Sequence, residues 1–232
     1  MNTTRTEPAP MEIVKVVAGR FFAFLIRNLY FVFAIFAVSF LYKFLIFKYV
    51  PNSMVKPFVN MIFDLSFYPV LMIFSMYLVN AFYAGKQVRN FEPILEDGRS
   101  YFQPLLAYYA IIMMTLNVIN MINPAFMAIS LVLLIKLLFV DQLIYYKNLG
   151  VIEAIKSSWS MVSMRLFFIY FIFALFTFSM MSSLMGLVIR SYPENAFIIG
   201  RAVEIFFYIL IRFFVTITYR ELIQVDFYRT RS

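Results

Sequence analysis

The chain has 232 residues, of which 63% are apolar, 30 are Phe and only 14% are charged, against about a quarter charged in an ordinary soluble domain. A soluble protein of this make-up lacks the polar surface to cover its apolar groups, and the absence of Cys and His excludes disulfides, thiol nucleophiles, H-E-x-x-H zinc proteases and Ser-His relays. The net charge of +8 sits thinly at the ends of apolar runs, without the aromatic interleaving of a nucleic-acid surface, and so argues against a nucleic-acid partner.

The polar lead from Met1 to Arg27 is too long for the n-region of a signal peptide, and no small-residue cleavage site closes the apolar run that follows. That run, 28–47, is expected to stay as a first membrane span. A second covers 57–84 and is expected to kink at Pro69. In 86–102 the residues Val88, Phe91, Ile94 and Leu95 recur at helical spacing among charges, predicting an in-plane amphipathic helix that Asp97-Gly98 ends. The third span, 103–122, carries Asn117 and Asn120, which together with Asn123 form a polar row suited to bonding between helices. Asn123-Pro124 predicts a tight turn into the fourth span, 124–146. Another amphipathic in-plane helix is expected over 150–164, with Val151, Ile152, Ile155, Trp159 and Val162 on its apolar face. Spans five and six follow at 165–190 and 196–219. Each stretch reaches the roughly 20 apolar residues that a bilayer needs.

Lys and Arg settle the expected orientation. Arg5, Lys15, Arg20 and Arg27, then Lys86, Arg89 and Arg99, then Lys147, Lys156 and Arg165, and finally Arg220, Arg229 and Arg231 fall on one side, thirteen in all, against four (Lys48, Lys56, Arg190 and Arg201) on the other. Positive loops stay cytoplasmic. The sequence thus predicts an all-α, polytopic bundle of six transmembrane helices, one membrane domain over 1–232, with both termini cytoplasmic in a cell (inner or plasma) membrane.

The fourth gap carries a motif. An apolar span ends in Val140-Asp141-Gln142-Leu143, and Gly150 then leads into a helix with Glu153, Ala154, Ser158 and Trp159. This resembles the glycerophosphoryl-diester-phosphodiesterase membrane-domain-like proteins and the related uncharacterised YciC-type inner-membrane proteins. There a Pro-initiated span runs through a polar turn into an E-A-x-x-x-S-W helix. The resemblance implies a six-span bundle without implying hydrolysis, because the phosphodiesterase chemistry of such proteins belongs to a separate soluble barrel with His and metal-binding carboxylates.

Charges inside hydrocarbon cost about 2.5–3.5 kcal/mol each on insertion scales, so those that remain are informative. Counting about 1.5 Å per residue places Lys43 level with Asp64, Lys136 near the level of Glu204, and Asp141 level with Arg212. Three cross-helix pairs are predicted on that basis: Lys43–Asp64, Lys136–Glu204 and Asp141–Arg212. No G-x-S-x-G elbow, Asp cluster or His offers a catalytic centre, and no catalytic, metal-binding or cofactor-binding residue is expected. The expected role is non-enzymatic, associating with membrane lipids or organising the membrane, with a second copy of the chain or other membrane proteins as further partners. The alternative is a small oligomeric transporter or channel that uses the deep charges.

Overall fold

The computed structural model describes residues 10–50, 55–88, 90–122, 127–191 and 196–230. It is 91% helical. In chain order, α1 covers Pro10–Arg27, α2 Leu29–Tyr49, α3 Val55–Tyr83, α4 Glu92–Ile122 and α5 Met127–Lys136. Then α6 covers Val140–Lys147, α7 Val151–Met161, α8 Met164–Ser191 and α9 Ala196–Thr230. Among the described residues, four segments are long and apolar enough to cross a membrane: Leu29–Tyr49, Val59–Tyr83, Ile129–Lys147 (across α5 and α6) and Leu166–Ser191. The remaining predicted spans, 103–122 and 196–219, lie within α4 and α9, helices of 31 and 35 residues.

The leader, read from sequence only as a polar lead, forms a helix of its own. Asn28 separates α1 from α2, its side-chain amide donating to the Phe24 carbonyl at 3.0 Å. Phe21 of α1 meets Phe214 edge-on at 5.5 Å, and Phe24 sits between Phe82 and Phe213 at 5.7 and 4.9 Å. This aromatic contact docks α1 on the C-terminal half of α9. Arg27 then donates to the carbonyls of Gly85 and Lys86 at 2.8 and 3.0 Å, satisfying acceptors of the turn that follows α3.

Three sequence expectations change. Asp97-Gly98 does not end a helix: α4 runs without interruption from Glu92 through Gly98 and Pro104 to Ile122. Glycine is kept there for closeness, since a Cβ on Gly98 would lie 2.2 Å from Ile73 Cγ2 of α3. The predicted fourth span is two helices, broken at 137–139 between α5 and α6. The 150–164 segment packs antiparallel on α6 in a hairpin turned by Asn148, whose left-handed φ of 51° closes α6. Its inner face is Ala154, Ser158 and Val162, while Ile152 and Trp159 point outward. α3, for its part, continues as helix through Pro69. The Asn123-Pro124 turn and the side chains of Asn117 and Asn120 lie outside the described residues.

The core centres on α6. Every residue from Val140 to Tyr145 is buried, enclosed by α3, α4 and α7 and reached from α9 by Arg212 and Thr216. At the end of the bundle that holds α1, two tyrosines tie helices together: Tyr83 donates to Glu221 at 2.5 Å and Tyr145 to Asp97. In contrast, α8 packs mainly along α9 and α5 and leaves Phe168, Ile172, Phe176 and Phe178 outward. A face this apolar calls for lipid or protein against it.

Candidate functional site

The break between α5 and α6 frees backbone groups inside the core, and distant side chains take them up. Ser158 of α7 donates to the Lys136 carbonyl at 2.9 Å and accepts from the Phe139 amide at 3.2 Å. Tyr108 of α4 donates to the Leu137 carbonyl at 3.2 Å. Thus Ser158, fully buried, is the latch of the motif helix, and buried Ala154 lets α7 approach α6. Trp159 lies outside this contact with its ring 5.5 Å from the Lys136 ammonium, and Glu153 stands in the first turn of α7, where its charge suits the helix dipole.

Immediately after the break, Asp141 opens α6. Its Oδ2 accepts from the Tyr109 hydroxyl at 2.9 Å and from Arg212 of α9 at 3.3 Å. Arg212 also donates through Nε to the Tyr208 hydroxyl at 2.8 Å and stacks its guanidinium 4.9 Å from that ring. Next to them, Gln142 donates to Thr216 at 3.4 Å, and Thr216 donates to the Arg212 carbonyl at 3.0 Å. Two buried oxygens of this cluster, Asp141 Oδ1 and Gln142 Oε1, find no hydrogen-bond partner among the described residues.

On the side of Tyr208 away from α1 lies a chamber of about 120 Å³ between α2, α3 and α9. Lys43 and Asp64 meet there at 2.6 Å, and Arg201 and Glu204 at 2.5 Å. Ser39, Phe63, Phe67, Tyr68 and Tyr208 contribute to the rest of the wall. The second pair leaves the chamber accessible, its side chains being 53% and 52% exposed. Phe67 is shared with a second recess of about 310 Å³ that continues between α2 and α3, lined by Ala34, Ile35, Val38, Val70, Leu71, Phe74 and Phe91. No polar side chain lines that groove. Charged chamber and apolar groove therefore adjoin along the same two helices.

Of the charge pairs expected from sequence, the structure brings together Lys43 with Asp64 and Asp141 with Arg212. Lys136 and Glu204 do not meet. Lys136 ends α5 and donates to the Val162 carbonyl at 2.7 Å and the Trp159 carbonyl at 3.5 Å, because the end of α7 presents open carbonyls at negative dipole potential. Glu204 pairs with Arg201 one turn away on its own helix. In the sequence Arg201 counts among the gap charges, outside the choice of intramembrane partners. Tyr68, Tyr109 and Tyr208 carry no charge to mark them, although Tyr208 and Arg212 stand four residues apart on α9, a spacing that juxtaposes side chains on a helix. No family model, curated protein or solved structure matches the chain.

Proposed function

We propose that this is a six-span protein of an inner or plasma membrane, with both termini cytoplasmic, that associates with lipid without catalysing a reaction. The observation that carries the reading is the charged chamber lying beside a groove lined by apolar side chains alone, with Phe67 as the wall common to both. That combination has the polarity profile of an amphiphile, with a place for a head and a place for a chain. The six-span part is supported by the helicity of all six predicted stretches among the described residues and by the lysine and arginine bias of the gaps. Kinship with the YciC-type proteins belongs to the same proposal and rests on Glu153, Ala154, Ser158 and Trp159.

Native mass spectrometry of the gently purified chain tests this. About one phospholipid per chain is expected to survive delipidating detergent, and a lipid-free chain would reject the lipid reading.

A second reading, a small transporter or channel, has one observation in its favour. Polar groups follow one another from the chamber through Tyr208 to Arg212 and Asp141, ending on two unpartnered oxygens. Ionisable groups within a membrane are functional candidates by default. Lipid-free chain that conducts ions or solutes in proteoliposomes, with conduction lost in Arg212→Gln, would replace the first reading by this one.

A further inference from the structure

The geometry points to the chemical class of the lipid: a zwitterionic phospholipid whose headgroup ends in a primary ammonium. The inference rests on the lipid reading above and adds to it the identity of the head.

Four ionised side chains face one chamber, two cations (Lys43 and Arg201) and two carboxylates (Asp64 and Glu204). Their sum is zero. An anionic headgroup entering this chamber would leave one negative charge uncompensated beside Asp64, whose side chain is only 20% exposed, which is costly. A headgroup bearing one phosphate and one ammonium brings its own balance. It exchanges the Lys43–Asp64 and Arg201–Glu204 contacts for contacts to itself, with every charge still opposed. Discrimination then comes from what the chamber rejects as much as from what it attracts.

All four charges line the one chamber, each cation against a carboxylate, Lys43 with Asp64 and Arg201 with Glu204. A phosphate suits the two cations, Arg201 offering a planar fork and Lys43 a point charge. An ammonium suits Asp64, Glu204 and the tyrosines of the same chamber, whose oxygens accept hydrogen bonds. A primary ammonium has three donors for them, while a trimethylammonium has none and is bulkier in a chamber of about 120 Å³. The acyl chain follows the apolar groove past Phe67 toward Phe74 and Phe91.

The test uses the whole chain reconstituted in vesicles of phosphatidylethanolamine, phosphatidylcholine and phosphatidylglycerol at equal mole fraction, then extracted and weighed with its retained lipid. Phosphatidylethanolamine is expected at about ten times the retained amount of either other lipid, the ratio that one well-made charge-assisted contact supplies. The double variant Arg201→Gln with Glu204→Gln changes only half-exposed side chains and keeps the net charge, so folding is not at stake. It is expected to retain lipid with that preference reduced to near the bilayer composition. Retention of lipid by the unmodified chain with no preference, or with phosphatidylglycerol or phosphatidylcholine enriched, overturns this inference and leaves the lipid reading intact. A double variant with the full phosphatidylethanolamine preference also overturns it. No retained lipid overturns both.

Discussion

Replacing Arg212 by Leu is expected to destabilise the protein by about 3–5 kcal/mol, the cost of leaving a buried charge without its partner. Asp141 is 1% exposed and would keep only the Tyr109 hydroxyl. Asp141→Leu is expected to cost less, because Arg212 is 19% exposed and retains Tyr208 both as hydrogen-bond partner and as aromatic face. Changing both residues to Leu is expected to recover most of the loss, since a buried pair replaced by apolar groups of similar volume is often neutral or better. Unfolding of the three variants in detergent micelles closes the cycle. Recovery in the double variant reports coupling, and simple addition of the two losses would mean that the residues act independently.

Gly98→Ala carries the second large effect, and its sign runs against propensity. In an open helix interior the change gains about 1 kcal/mol. Here the new Cβ meets Ile73 Cγ2 at 2.2 Å and Cδ1 at 3.2 Å. Cγ2 moves only with χ1, which a β-branched side chain in a helix holds in one strongly preferred rotamer, so α3 and α4 must separate along the seam that also buries Ile94. Overpacking of this kind costs about 1–3 kcal/mol, and a net loss is expected. Pairing it with Ile73→Ala removes the obstructing atoms, and Gly98→Ala is then expected to be neutral or stabilising. A thermal midpoint that rises for Gly98→Ala alone would show that the two helices are not held as close as the contact implies.

These two cases mark what was legible in the sequence. The pairing of Lys43 with Asp64 and of Asp141 with Arg212 follows from counting helical rise along apolar stretches, because depth is a one-dimensional quantity that the sequence records. Gly98 is ambiguous by the same means. A glycine after Asp reads as a stop, and only Ile73 on another helix makes it a point of close approach. The break before Val140 has no Gly or Pro to announce it. It depends on the hydroxyls of Ser158 and Tyr108, each some 20 to 30 residues away. Lys136 illustrates another limit. Its acceptors are backbone carbonyls at the end of α7, and a search for opposite charges passes over such partners. The chamber required three helices at once, α2, α3 and α9, so it had no local signature at all.

The motif helix shows the same division. Sequence periodicity predicts the helix after Gly150 and an apolar face with Ile152 and Trp159 turned to lipid or to the bundle; in the structure both are exposed. The buried residues are Ala154 and Ser158, chosen by closeness to α6 and by the unpaired backbone at 136–139. A small polar side chain became more important than a large apolar one because an unsatisfied buried amide costs as much as a lost hydrogen bond.

The most direct measurement is lipid retention when the groove is filled. Ala34 lines the groove between α2 and α3, and Ala34→Trp places an indole where an acyl chain would lie. Leu175→Trp, on the outward face of α8, serves as control. With the bound lipid counted per chain by native mass spectrometry, the expected result is loss of the retained phospholipid in Ala34→Trp and its full retention in Leu175→Trp. Retention of one lipid per chain in folded Ala34→Trp would contradict the claim that this recess holds it.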